Sequence, residues 1–96
     1  MPILQIEHSV RDFDSWKQRG FDADPLGRER SGVRSYRILR LAHDPNRVVV
    51  DLEFDTDEEA ESFREALRGL WQRVVAEGLI EDPEARILEP VESKAY

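Results

Sequence analysis

The side chains able to do chemistry in this chain are few: two histidines, two tryptophans, two tyrosines and no cysteine. His8 is the sharpest of them. It shares an alternation with Leu4, Ile6 and Val10, so its imidazole projects from the apolar side of a strand toward the interior. An imidazole placed there can act as a general base or hold a ligand by a hydrogen bond. The structural alternative is a buried ring satisfied by a neighbouring carbonyl or hydroxyl. Trp16 falls on a helix lying over the same strand, where it can wall a pocket or pack beside Phe13 as a core aromatic. Arg37, read onto the apolar sheet face together with Ser35, needs an anion to offset its burial. That makes it a candidate clamp for a carboxylate or enolate, unless an acidic side chain takes the place. Tyr36 then faces the other way, and its phenol can protonate or orient a substrate oxygen. Trp71 belongs to the apolar stripe of a long helix, as core or as ligand contact, and His43 sits in a solvated turn.

The elements that must position these groups follow from local patterning. Ile3 to Val10 alternates with period two and reads as a first strand. Asp12 can cap a helix through Phe13 and Trp16, which Gly20 interrupts and Asp24-Pro25 restarts until Gly32. Val33 to Leu41 and Arg47 to Phe54 are rich in branched and aromatic residues and read as a hairpin turning about Asp44-Pro45. Thr56-Asp57-Glu58-Glu59 is a capping box. The helix it opens carries Ala60, Phe63, Leu67, Leu70, Trp71 and Val74 on one stripe, and Gly78 ends it. After a turn at Glu81-Asp82-Pro83, Ala85 to Val91 reads as a last strand, at an edge or strand end because of Pro90.

The order β-α-β-β-α-β is the split pattern of α+β, ferredoxin-like domains, a four-stranded antiparallel sheet with both helices on one face. All 96 residues are read as a single domain. A hairpin turning about Asp44-Pro45 sets Leu39 opposite Val50 and Arg37 opposite Leu52. Ser35, Arg37, Leu39 and Leu41 then lie under the helices with Leu4, Ile6 and His8. Arg34, Tyr36, Ile38, Arg40, Val49, Asp51 and Glu53 lie on the other face, where mixed charge and apolar side chains suit a second copy. A chain this short buries only about 60–65% of its unfolded surface, which also favours a partner subunit.

Composition removes several classes of function. Without cysteine there is no thiolate metal site, no iron–sulfur ligation and no cysteine nucleophile. Only two histidines exist, one on a strand and one in a turn, so no metal site is expected, and no glycine-rich loop follows a strand to hold a nucleotide. No cofactor is implied. The 21 acidic against 14 basic residues give a net charge of −7, which argues against nucleic acid. No run approaches the roughly 20 apolar residues of a membrane span, and the amino terminus has no basic leader, so a soluble, cytoplasmic protein is expected.

The segments His8-Ser9-Val10-Arg11-Asp12-Phe13-Asp14-Ser15-Trp16-Lys17, Gly32-Val33, Tyr36-Arg37, Asp44-Pro45-Asn46 and Val49-Val50-Asp51-Leu52-Glu53-Phe54 resemble the dimeric α+β barrel proteins. Within that superfamily they look like the antibiotic-biosynthesis monooxygenase-like group. The resemblance spans nearly the whole chain as a pattern, without a catalytic signature. It implies a homodimer built sheet to sheet, with a pocket between each sheet and its own helices that takes a small hydrophobic ligand. Members include cofactor-free oxygenases, isomerases, haem proteins and proteins with no assigned reaction, so the fold alone chooses none of them. Both helices here lack histidine, which disfavours haem. The resemblance implies a cofactor-free monooxygenase- or cyclase-type enzyme acting on a hydrophobic oxygen-bearing substrate, with His8 as base and Arg37 or Tyr36 holding the anion. Two other functions stay open: a non-catalytic ligand-binding or structural dimer, and a tautomerase. Met1-Pro2-Ile3 resembles the start of the tautomerases, whose amino-terminal proline is a base, but the match ends within a few residues.

Overall fold

The alternation at the start of the chain becomes β1 (Ile3–Val10) in the computed structural model, which describes residues 1–96. Leu4, Ile6, His8 and Val10 are buried and the residues between them half-buried. Asp12 then caps α1 (Phe13–Trp16), its carboxylate accepting from the Ser15 backbone N–H at 3.2 Å and from the Ser15 hydroxyl at 2.7 Å. The helix continues as a π-helical turn over Lys17–Phe21. β2 (Ser35–Leu41) and β3 (Asp44–Glu53) form the hairpin, α2 (Asp57–Ala76) follows, and β4 (Ile80–Leu88) completes the sheet. The strand order is β2-β3-β1-β4, antiparallel throughout. This is a ferredoxin-like α+β fold. Thr56 caps α2 by accepting from the Glu59 N–H at 3.2 Å, and Gly78, at φ 76°, supplies the left-handed turn beyond its end. Leu4, Val48, Leu52 and Phe54 are fully sealed at the centre, with Ala60, Phe63 and Leu67 of α2 packed over them.

Three expectations are corrected. The hairpin turns at Ala42-His43, and residues 45–47 form an irregularity between the pairs Arg40↔Val48 and Leu41↔Asp44. Pro45 has no N–H for a ladder, and Asp44 accepts from the Asn46 N–H at 3.2 Å, so the Asp-Pro-Asn segment bulges instead of turning. The register therefore slips by one: Tyr36 pairs with Leu52 and Arg37 with Asp51. Every β2 side chain changes face. Tyr36, Ile38 and Arg40 lie on the helix side, with Arg40 over the Phe13 ring at 4.8 Å, and Ser35, Arg37, Leu39 and Leu41 lie outside. Second, residues 22–34 form no restarted helix but a chain of turns. Asp24 accepts from the Arg28 N–H at 2.9 Å and Leu26 from the Ser31 hydroxyl at 2.9 Å, so side-chain bonds there take the place of helical ones. Third, β4 begins at Ile80, ahead of the expected turn. Asp82 and Pro83 form a bulge inside it, since Glu7 pairs with Glu84 while Ser9 pairs with Glu81. An edge strand tolerates proline at such a bulge.

Candidate ligand-binding site

Where α1 and its π turn cross the sheet, they do not close fully against α2. A cavity of about 160 Å³ remains between them. Ile6, His8, Val50 and Leu52 of the sheet form its floor, Trp16 and Phe21 one wall, and Leu67, Leu70, Trp71 and Val74 of α2 another. Pro25 and Leu26 of the loop close a third side. Gly20 leaves room at the π turn: a Cβ there would lie 3.2 Å from Trp16 Cδ1 and 3.3 Å from Leu79 Cδ2. The loop is held over the cavity by Arg28, whose guanidinium stacks on Phe21 at 3.8 Å and donates to the Phe21 carbonyl at 2.8 Å.

His8 is the polar centre of this apolar space. It is 3% exposed, and its ring meets Trp16 edge-on at 5.2 Å between centroids. Its Nδ1 is sealed from solvent without a hydrogen-bond partner. Burial pushes the imidazole down to about 4, the nearby Ser9 backbone acts against it, and the Arg47 charge acts with it. The ring is therefore neutral at pH 7. His8 also lies opposite the Asp82-Pro83 bulge of β4, a kind of irregularity often found beside functional side chains.

The other sequence-derived candidates divide. Trp16 and Trp71 line the cavity with His8. Ser35 and Tyr36 do not; with Arg28, Glu29 and Arg34 they border a separate shallow groove, where Tyr36 is 53% exposed and meets Phe21 edge-on at 4.9 Å. Arg37 lies on the outer sheet face, donating to Asp51 at 2.8 Å, and Asp51 also accepts from Gln5 at 3.0 Å. The expected placing of Arg37 under the helices is corrected: an acidic side chain takes up its charge. The same face holds Arg47 on Glu7 at 2.8 Å and on Ser9 at 3.1 Å, and Arg86 on Gln5. No three His, Asp or Glu side chains gather as metal ligands.

Sequence reasoning missed the loop wall and two arginines at the cavity, Arg19 and Arg73. A turn-rich loop has no periodicity from which its inward side can be read. Arg19, three residues beyond Trp16 on the same helix, did offer a signal of helical spacing.

Together these elements define a ferredoxin-like α+β protein with a partly open apolar pocket between sheet and helices. Its fold is that of the antibiotic-biosynthesis monooxygenase-like proteins of the dimeric α+β barrel superfamily. A candidate antibiotic biosynthesis monooxygenase from Nitrosomonas europaea is 25% identical at a TM-score of 0.60, over 96% of this chain and 100% of that one. A second, from Bordetella bronchiseptica, is 21% identical at 0.68, over 95% and 98%. A dimeric ferredoxin-like protein from an uncultured marine organism is 8% identical at 0.66 and covers both chains fully. No protein-family profile and no curated protein matches the sequence. No helix is long and apolar enough to cross a membrane.

Proposed function

We propose that this chain is a homodimeric pocket protein of the cofactor-free monooxygenase type, in which a small apolar, oxygen-bearing molecule enters beneath α1 and α2 and gives up a proton to His8. One observation carries the reading: a buried imidazole with a sealed, unpartnered nitrogen lines an apolar cavity. Among apolar walls the imidazole is the polar group of the sheet floor that a ligand oxygen would meet. With its ring pushed down to about 4, His8 takes a proton only as an anion forms beside it, and a developing enolate or phenolate provides that compensation. An activated CH₂ deprotonated in this way reacts with molecular oxygen; its conversion to C=O consumes one O₂ and releases one water. The solved relatives described as antibiotic biosynthesis monooxygenases support this reaction class. The same low proton affinity favours a second reading, a non-catalytic binder in which His8 only hydrogen-bonds, because a general base works best with a pKa near the working pH.

The dimer would form through the outer sheet face. Leu39, Leu41 and Leu88 are exposed there around the charge-paired Arg37, Asp51, Glu7 and Arg47, a mixture suited to an isologous interface.

2-Indanone, a small ketone with activated CH₂ groups, tests the pocket. The chain has two tryptophans and both line the cavity, so tryptophan emission reports its filling. Wild type should bind and consume oxygen. His8→Gln should keep binding while uptake falls about 10²–10⁴-fold, the usual value of general-base help. Uptake retained in His8→Gln removes His8 from the chemistry. Binding without uptake in wild type leaves the non-catalytic reading, and no binding overturns both.

A further inference from the structure

The charge around the cavity runs against the charge of the chain. Acidic residues outnumber basic ones by 21 to 14 overall, yet the charged side chains lining the cavity are Arg19, Arg28, Arg73 and a single acid, Asp24. Asp24 is engaged, paired with Arg28 at 3.5 Å and accepting its backbone N–H. Arg28 is engaged too, on Asp24 and on the Phe21 carbonyl. Arg19 and Arg73 are both exposed and have no acidic partner within 4.0 Å. Arg28, Arg34, Arg37, Arg47, Arg64, Arg68 and Arg86 sit in ion pairs. Arg11, Arg30 and Arg40 are without one too, but of the unpaired arginines only Arg19 and Arg73 line the cavity. These two residues come from different elements, the π turn after α1 and the last turn of α2, and both line one apolar cavity.

We infer that the occupant is amphiphilic and monoanionic: a body about the size of one aromatic ring in the cavity, with a carboxylate at its solvent end between Arg19 and Arg73. The volume sets the body, because a cavity near 150 Å³ lined by aliphatic and aromatic side chains holds one benzene, and this one is about 160 Å³. The guanidinium groups set the head, since their forked donors match a carboxylate. They also explain how an anion reaches a protein of net charge −7: a local positive field at a cleft overrides the global one at short range. This inference rests on the binding part of the reading above and narrows the occupant to aryl-bearing carboxylates; 3-phenylpropionate, whose CH₂ groups are not activated, probes binding and not turnover.

The test compares 3-phenylpropionate with 3-phenylpropanol, which has the same body and no charge, by tryptophan emission on the full chain. The acid should bind about tenfold more tightly at low salt, an exposed ion pair being worth up to about fivefold. The Arg19→Gln, Arg73→Gln double variant should lose that preference while binding the alcohol unchanged, and added salt should erode only the acid's affinity. Both positions are exposed, so the variant's unchanged melting temperature serves as the folding control. Equal affinity for acid and alcohol overturns the anion inference and leaves the apolar pocket standing. Failure of both to bind overturns the pocket reading itself. A preference that survives in the double variant removes Arg19 and Arg73 from recognition and overturns the inference.

Discussion

Replacing His8 with leucine should make the protein's stability less sensitive to acid. The imidazole, with an ordinary value of 6.5, lies at about 4 in the folded chain because burial penalises its charged form. A depressed histidine value means that the unfolded chain binds the proton more tightly. Its full stabilising effect is thus present above pH 6.5 and is lost as the pH falls toward 4. The whole difference is worth about 3 kcal/mol, of which about 2 kcal/mol is lost between pH 7.5 and pH 5. Leucine does not titrate and leaves no unpaired Nδ1 in the apolar interior. Glu7 and Asp12, whose carboxyls are held below their usual range by Arg47 and Ser15, destabilise both proteins alike as they protonate. His43 is common to both. Urea unfolding of wild type and His8→Leu at fixed protein concentration, at several pH values from 7.5 to 5, should therefore show the variant gaining about 2 kcal/mol on wild type as the pH falls. A difference constant to about 0.5 kcal/mol over that range would refute a neutral, desolvated His8.

Other perturbations address the remaining parts of the structure. Gly20→Leu pushes a side chain into the wall formed by Trp16 and Leu79 and should abolish quenching by 2-indanone while the far-ultraviolet circular dichroism stays unchanged. Leu39→Asp with Leu41→Asp should convert a species of about twice 11.2 kDa into a monomer in sedimentation at micromolar concentration, or leave the mass unchanged if the sheet face is not the interface. Thr56→Ala removes the cap on the Glu59 N–H and should cost about 1 kcal/mol in denaturant unfolding.

The strands and α2 were legible because their side chains obey periods that burial enforces. Leu4, Ile6, His8 and Val10 alternate, and Ala60, Phe63 and Leu67 repeat at helical spacing. Both sets are buried in the structure. The hairpin register was not legible, because Asp44-Pro45-Asn46 carries turn chemistry that operates equally well as a bulge. One residue of slip then exchanged the faces of Tyr36 and Arg37. At the site, His8, Trp16 and Trp71 could be read from their elements. Pro25, Leu26 and Arg28 could not, because their positions are set by side-chain bonds to Asp24 and the Phe21 carbonyl within a loop that has no repeating pattern.

The central claim is that the cavity beneath α1 and α2 is a binding site whose polar contact is the neutral ring of His8. The chain has only two histidines, and His43 lies in the exposed hairpin turn, so the ring nitrogens of each can be followed separately by long-range proton–nitrogen correlation spectra at neutral pH. Titration with 2-indanone should shift a His8 ring-nitrogen resonance in proportion to occupancy, as a nitrogen gains a hydrogen-bond partner, and leave those of His43 in place. Tryptophan quenching that saturates while the His8 nitrogens stay unmoved would contradict the claim.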